Sequence, residues 1–274
     1  PHNKGQRLPT IGKQIKSDMR FTILAAEWNA KLVALAKVMN SKVALPIYST
    51  FLLELKDGVL RITASDMDCS RCSTLPVMDM DRANEHNGSL CVTASFLLDS
   101  LKNLGDQPVT FEADEENLSV VIRYNNGQFD MVGFPAKDYA LPGTMGKSVQ
   151  VTIEASVLND SIGKSLYAVG NDDLRPIFSG IYFTKKGDEL QCATTNGSML
   201  VRNTYKVEND GQEYSFLLHS RAAKIVRSMT SKSDEKVQVF ITEREVAFQT
   251  ETDYFRTRLI EGISPKSIEI IPTG

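Results

Sequence analysis

The sequence predicts an α+β fold made of one unit written twice, head to tail, with two helices packed on antiparallel sheet in each copy. Three observations predict it. Residues 130 positions apart correspond in an ordered series, helical and strand periodicities alternate in the same order in both copies, and turn signals fall between the patterned segments.

The series begins where Phe21-Thr22-Ile23 falls on Val151-Thr152-Ile153, a strand in each copy. The following stripes, Trp28, Leu32, Leu35, Met39 and Leu158, Ile162, Ser165, Val169, have the i, i+4, i+7, i+11 spacing of a helix facing a core. Ser156 is read as the cap of the second. Pro46-Ile47-Tyr48-Ser49 then falls on Pro176-Ile177-Phe178-Ser179. Period two takes over at Phe51, Leu53, Leu55 and resumes at Leu60, Ile62, Ala64 across Asp57-Gly58, a hairpin signal. Asp66 falls on Asn196 at the same offset. At an offset of 125, Leu97, Leu101, Leu104 answer to Ala222, Val226, Met229, a second helix capped by Ser95 or Ser220 and closed in the first copy by Gly105. At 128, Val109, Phe111, Leu118, Val120 answer to Val237, Val239, Val246, Phe248, a further run of strands. The domains read as 19–142 and 147–274, hinged at Leu141-Pro142-Gly143-Thr144-Met145-Gly146. Residues 1–18 carry Lys4, Arg7, Lys13 and Lys16 without an apolar core and read as a leader or expression remnant before a start at Met19.

Composition is that of a globular protein, 42% hydrophobic and 24% charged with net charge −3, and no run suits a membrane span. Cys69, Cys72, Cys91 and Cys192, with no signal segment, are expected as reduced thiols in the cytoplasm. His2, His86 and His219 are scattered and form no catalytic order. Cys69-Ser70-Arg71-Cys72 lies in a strand region, not at the helix N-terminus that lowers a thiol pKa, and no second CxxC completes a zinc site. Asp66 and Asp68 lack the Gly and Glu of a calcium loop, and no phosphate-binding glycine loop is present. The expectation is no catalytic residue, no metal and no cofactor.

Charge distribution is more informative. Arg221, Lys224, Arg227 and Lys232 follow one another with no acid before Asp234, and Lys31, Lys37 and Lys42 outnumber Glu27 around the first helix. Acids gather on strands and loops: Asp57, Asp66, Asp68, Asp79, Asp81 and Asp114 to Glu116. A basic helix face suits sequence-independent contact with phosphates; ordinary solvated helix faces account for the same charges.

An ordered series of motifs runs through the first copy: Met19-Arg20-Phe21-Thr22-Ile23, Leu45-Pro46-Ile47 with the hairpin that follows, Thr63-Ala64-Ser65-Asp66, and Phe134-Pro135-Ala136-Lys137-Asp138-Tyr139. In the second copy they are Leu174 to Ile181, Ala193-Thr194-Thr195-Asn196-Gly197, and Leu259-Ile260-Glu261-Gly262 leading to Pro265 and Pro272. In this order the motifs resemble a known family, the bacterial sliding clamp, or β subunit of the replicative DNA polymerase. The resemblance implies repeated units ringed around duplex DNA with helices lining the hole. It also implies a clamp loader that opens the ring, a tethered polymerase catalytic subunit, other clamp-binding peptides, and a nucleoid-associated protein without an active site. By position, Lys42, Arg175 and Arg221 match DNA-facing residues of the family, and Lys224 joins them from the charge pattern. The family's partner-peptide pocket has counterparts in Phe178, Thr195, Gly197, Ser198, Met199, Leu200, Pro265 and Ile270. Ser198-Met199 stands where the family often has His-Arg, and Glu269 where it has a basic residue, so peptide preference is expected to differ.

Family members carry three repeats. The chain is therefore expected to be the first two of three, with the third clamp domain absent, and the head-to-tail homodimer ring is expected only for the full-length protein. Two alternatives accompany this reading: a clamp-fold adaptor that binds partners without forming a ring, and a thiol-redox enzyme using Cys69 and Cys72.

Overall fold

The computed structural model describes residues 18–39, 45–78, 87–170, 175–231 and 235–261. Strand β1, Met19–Leu24, buries Met19, Phe21 and Ile23 and runs directly into helix α1, Ala25–Ala36, whose Trp28, Leu32 and Leu35 face the same core. After a 3-10 turn at Pro46–Ser49 come β2 (Thr50–Lys56), β3 (Val59–Ser65), β4 (Cys69–Pro76) and β5 (Gly88–Thr93). The β2–β3 turn holds Asp57 at φ 50° and Gly58 at φ 76°, the paired left-handed residues that a tight hairpin needs. Helix α2, Ala94–Leu101, is followed by β6 (Pro108–Ala113), β7 (Ser119–Tyr124), β8 (Gly127–Val132) and the short β9 (Phe134–Pro135).

The second half repeats this order. Strand β10 (Val149–Glu154) leads into α3 (Ala155–Ser165), then β11 (Gly180–Lys186), β12 (Glu189–Thr195), β13 (Leu200–Lys206) and β14 (Tyr214–His219). Helix α4 (Ser220–Thr230) and β15 (Lys236–Ile241), β16 (Glu245–Gln249) and β17 (Asp253–Arg258) complete it. The α+β class and the antiparallel sheets are as the periodicities predict.

Two details differ from the sequence reading. The helices start one residue before the serines expected to cap α2 and α3: Ser95 and Ser156 lie inside their helices, and Ser220 is the first residue of α4. The cap positions are Thr93, Glu154 and His219, and only His219 lends a side chain, its ring Nδ1 accepting the Arg221 N–H. Side-chain caps are dispensable at α1 and α3 because neighbouring loops supply acceptors: Ala25 N–H donates to the Gln107 carbonyl and Ala155 N–H to the Glu235 carbonyl, both at 2.9 Å.

The second difference is register. Phe111 pairs with Ile122 and Val239 with Phe248, so Val120 and Ile122 are the counterparts of Val246 and Phe248, an offset of 126 rather than 128. The loop after β6 is two residues longer than the loop after β15. A shift of two keeps every side chain on its own face, so period-two reasoning could not detect it. The same 126 relates β5 to β14, because Thr50 faces Thr93 as Gly180 faces His219, which moves the second-helix alignment by one from 125.

Each half contributes two four-stranded runs, one of which the first half extends with the short β9, and the joint fuses one run from each. The first half's β1-β6-β7-β8 stands alone, as does the second half's β13-β12-β11-β14. Between them one nine-stranded sheet runs β10-β15-β16-β17-β4-β3-β2-β5-β9, crossing from half to half at the antiparallel pair β17–β4. Helices α1 and α2 pack together, as do α3 and α4.

Under that crossing lies a saturated ion cluster. Arg71 on β4, 4% exposed, donates through Nε and Nη2 to Asp253 Oδ1 at 3.1 and 2.7 Å, and through Nη1 to the Ala34 carbonyl of α1. Ser73 Oγ donates to the same oxygen, while Lys31 of α1 and Thr252 donate to Oδ2. Burial pushes the Asp253 carboxyl up, but Arg71, Ser73 and Lys31 outweigh it and hold it down at about 2.

Candidate nucleic-acid and peptide-binding surfaces

The basic face predicted on the helices begins at the joint. Arg221, in the first turn of α4, donates from Nη1 to Asp66 Oδ2 at 2.7 Å and from Nη2 to the carbonyl of Val38, just past the end of α1. It thereby ties the tail of α1 to the head of α4. The neutral His219 ring behind it is held below its ordinary pKa by burial first, then by Arg221 and Lys224, which keeps Nδ1 an acceptor for the Arg221 N–H. Lys224 and Arg227 follow on the exposed side of α4, and Lys37 is exposed beyond α1. Arg227 lies across α3 at Gly163, where a Cβ would sit 3.2 Å from its Nη2, and Asn159 of α3 donates to the Arg227 carbonyl. Lys31 belongs to the Asp253 cluster instead of the surface set. Lys42 and Lys232 lie outside the described residues. The guanidinium of Arg175 lies over the Phe178 ring, 4.8 Å from its centre.

Most of the residues expected to form the peptide pocket lie at or near a tight turn after β12. Asn196 Oδ1 accepts the N–H groups of Ser198 and Met199 at 2.9 and 2.8 Å. Thr195 Oγ1 donates to the Met199 carbonyl and accepts the Gly197 N–H. Gly197 has φ +90°, a backbone that a side chain resists, and leaves the Phe178 ring edge open. Gly170 closes the other side, its N–H on the Phe178 carbonyl at 2.7 Å and its missing Cβ only 3.1 Å from that of Phe178. Ile177, Met199 and Leu200 stand exposed at the rim. The structure thus brings together Phe178, Thr195, Gly197, Ser198, Met199 and Leu200; Pro265 and Ile270 lie outside the described residues.

Sequence reasoning missed a neighbouring cleft of about 320 Å³, bordered by Tyr182, Phe216, Leu217, Arg244 and Ile260. Gly180, two residues past Phe178, connects the two, since a Cβ there would meet Leu217 and Ile260 side chains at 2.9 Å. The buried Tyr182 hydroxyl has no hydrogen-bond partner. The available signal was Tyr182 itself, a polar aromatic falling on the apolar Leu52 of the first copy, where the equivalent space is filled by Tyr48, Cys91 and Tyr139.

Cys69 and Cys72 do not form a redox pair. Three residues apart on β4, they point to opposite faces: Cys69 packs in the core towards the Val38 carbonyl, and Cys72 lies beside Arg61. Burial pushes Cys69 and Cys192 up to about 12 and Cys91 to about 11, and it raises Cys72 as well. An aromatic disulfide reagent at pH 8 is expected to label the folded protein slowly and all four thiols after unfolding; rapid labelling of the native pair would contradict this burial. Among the described residues no three His, Cys, Asp or Glu side chains group as a metal site, and no helix is long and apolar enough to cross a membrane.

Residues 19–142 match the family model for the DNA polymerase III beta subunit, N-terminal domain, and residues 152–266 the model for its central domain. The beta sliding clamp of Bacillus subtilis strain 168 is 24% identical over 258 residues, 93% of this chain and 68% of that protein. The Staphylococcus epidermidis clamp is 23% identical over 257 residues with the same coverage. In three dimensions the chain is similar to the Pseudomonas aeruginosa sliding clamp bound to griselimycin, with TM-score 0.86, 20% identity and coverage of 93% and 68%. The crystal structure of the Bacillus subtilis clamp superposes at TM-score 0.84 with 24% identity and the same coverage.

Proposed function

Because the chain belongs to the DNA polymerase III beta subunit family, we propose that it works as part of a sliding-clamp subunit whose full-length form encircles duplex DNA and tethers the replicative polymerase for processive synthesis. Residues 19–142 and 147–274 are its two clamp domains in this reading. The observation that carries it is the joint. Strand β17 of the second half continues the sheet of the first at β4, while among the described residues their counterparts β8 and β13 end their own sheets. An end that repeats the geometry of an interior joint is what a head-to-tail assembly needs to close into a ring.

In this proposal the exposed cations of α4, Lys224 and Arg227, contact phosphates without reading sequence, with Lys42 and Arg175 as further contacts. The cleft around Phe178 receives apolar anchors of partner peptides, from the polymerase catalytic subunit, the clamp loader or other clamp-binding proteins. The protein works in the cytoplasm on nucleoid DNA and lends processivity, with no chemistry of its own.

The deciding experiment is retention of the full-length clamp on nicked circular plasmid, loaded with the clamp loader and ATP, before and after linearisation. Retention on circles with release from linear DNA is expected; equal behaviour on both forms would overturn encirclement. Lys224→Ala is expected to weaken duplex binding and to make the slope of log affinity against log salt shallower by about one. For the cleft, Gly197→Val is expected to cost griselimycin affinity about tenfold or more, since valine resists the φ that opens it. Unchanged affinity in a variant with wild-type thermal unfolding would remove Gly197 from the site. Griselimycin binding without any DNA retention would favour the adaptor, and the neutralisation of Arg221 by Asp66 is the observation that keeps that second reading in view.

A further inference from the structure

We infer that Arg221 positions the two halves instead of contacting phosphate, and that Asp66 withholds its charge from the DNA-facing helix surface. The inference rests on the sliding-clamp reading and refines which cations of α4 engage the duplex.

The geometry around Asp66 is the first argument. Its Oδ1 accepts two backbone N–H groups, from Asp68 at 2.9 Å and Cys69 at 2.8 Å, so the carboxylate cannot swing. That fixes Oδ2 against Arg221 Nη1 at 2.7 Å. The Asp66 side chain is 7% exposed and that of Arg221 38%, so a nearly buried, preorganised acceptor holds a half-open cation. Such a pair is much stronger than two mobile surface charges. The second guanidinium nitrogen donates to the Val38 carbonyl, two residues past the end of α1. Both nitrogens that face the joint are therefore engaged.

The repeat supplies an independent argument. At the corresponding turn of the second half stands Asn196, whose Oδ1 accepts the N–H groups of Ser198 and Met199 just as Asp66 accepts those of Asp68 and Cys69. Ser65 and Thr195 donate to the matching carbonyls of Cys69 and Met199. An amide thus builds this turn as well as a carboxylate does. The negative charge at position 66 is surplus to the turn, and the cation it faces is Arg221. A cation in the first turn of α4 also opposes the positive end of the helix dipole, which the Asp66 charge relieves.

The same comparison provides a clean variant. Asp66→Asn keeps the turn, as the protein's own second copy does, and frees the guanidinium. Duplex binding measured across a salt series is expected to become tighter in Asp66→Asn, with the slope of log affinity against log salt steeper by about one. Arg221→Ala should leave that slope as in the wild type, while Lys224→Ala makes it shallower by about one. Both Asp66→Asn and Arg221→Ala should speed hydrogen exchange in the first turn of α4, and a double-mutant cycle on unfolding should show the two residues coupled. A shallower slope in Arg221→Ala together with an unchanged slope in Asp66→Asn would overturn the inference and make Arg221 a phosphate contact. If the wild type shows no salt-dependent duplex binding, the clamp reading itself fails. Exchange and the cycle then decide the positioning role alone, and an absence of coupling refutes it.

Discussion

Asp253→Ala is expected to destabilise the protein by about 3–5 kcal/mol, because it leaves the guanidinium of Arg71 buried without its counter-charge. Arg71 is 4% exposed and Asp253 9%, so water cannot replace the lost partner. Five donors converge on the carboxylate, from Arg71 twice, Ser73, Lys31 and Thr252, and all lose that acceptor together. The double variant Arg71→Met/Asp253→Leu is expected to recover most of the loss, since removing both charges also removes their desolvation. Urea unfolding of the single and double variants measures this. A single variant within about 1 kcal/mol of the wild type would show that the cluster does not hold the halves together.

The same carboxylate predicts an acid limb. Its folded pKa, about 2, lies below the ordinary 3.8, so the folded state binds its proton less readily than the unfolded chain does. The stabilisation is therefore complete above the unfolded value and is lost as pH falls from there through about 2. Asp66, where burial is outweighed by Arg221 and two backbone donors, is depressed too and contributes in the same direction. Unfolding free energy measured from pH 6 downwards should be level at first and then decline; in Asp253→Asn the decline should be shallower.

The strands and helices were legible because their burial has a period. Phe21, Ile23, Trp28, Leu32 and Leu35 all lie where their spacing put them, and Asp57-Gly58 turns as its chemistry requires. What period cannot reveal is a shift of two residues between β6 and β7, nor that a helix start is satisfied by a distant carbonyl and not by the serine beside it. The cluster at Phe178 was readable as small residues around an aromatic ring. Its companion at Tyr182 and Ile260 was not, because it exists only once Gly180 lets β11 approach β14. The fate of Arg221 was hidden for a related reason. In the sequence it is one of a row of cations, and its acid lies 155 residues away, on a turn whose charge means something only when compared with Asn196.

Trp28→Ala is expected to cost about 3–5 kcal/mol, a second effect large enough to separate the two halves. The indole is fully buried and stands edge-on to Phe21 and Phe111, with ring centres 5.5 and 5.9 Å away. Those two phenylalanines face each other across β1 and β6 and stack at 4.9 Å, so the indole completes a triangle. The second half fills the corresponding triangle with Val151, Val239 and Leu158, smaller side chains around a smaller space. Neighbours shaped to a tryptophan cannot close over alanine, and the cavity adds to the lost transfer energy. Trp28→Phe should lose much less, because it also removes an indole N–H that is buried without an acceptor. The location of the damage is then informative. Hydrogen exchange in α3 and β10 of Trp28→Ala should stay near wild type if the halves open separately, since none of the triangle's atoms belongs to the second half. Equal acceleration in both halves would instead mean that the nine-stranded sheet carries the disturbance across the β4–β17 crossing, and that the Asp253 cluster welds the halves into one cooperative unit.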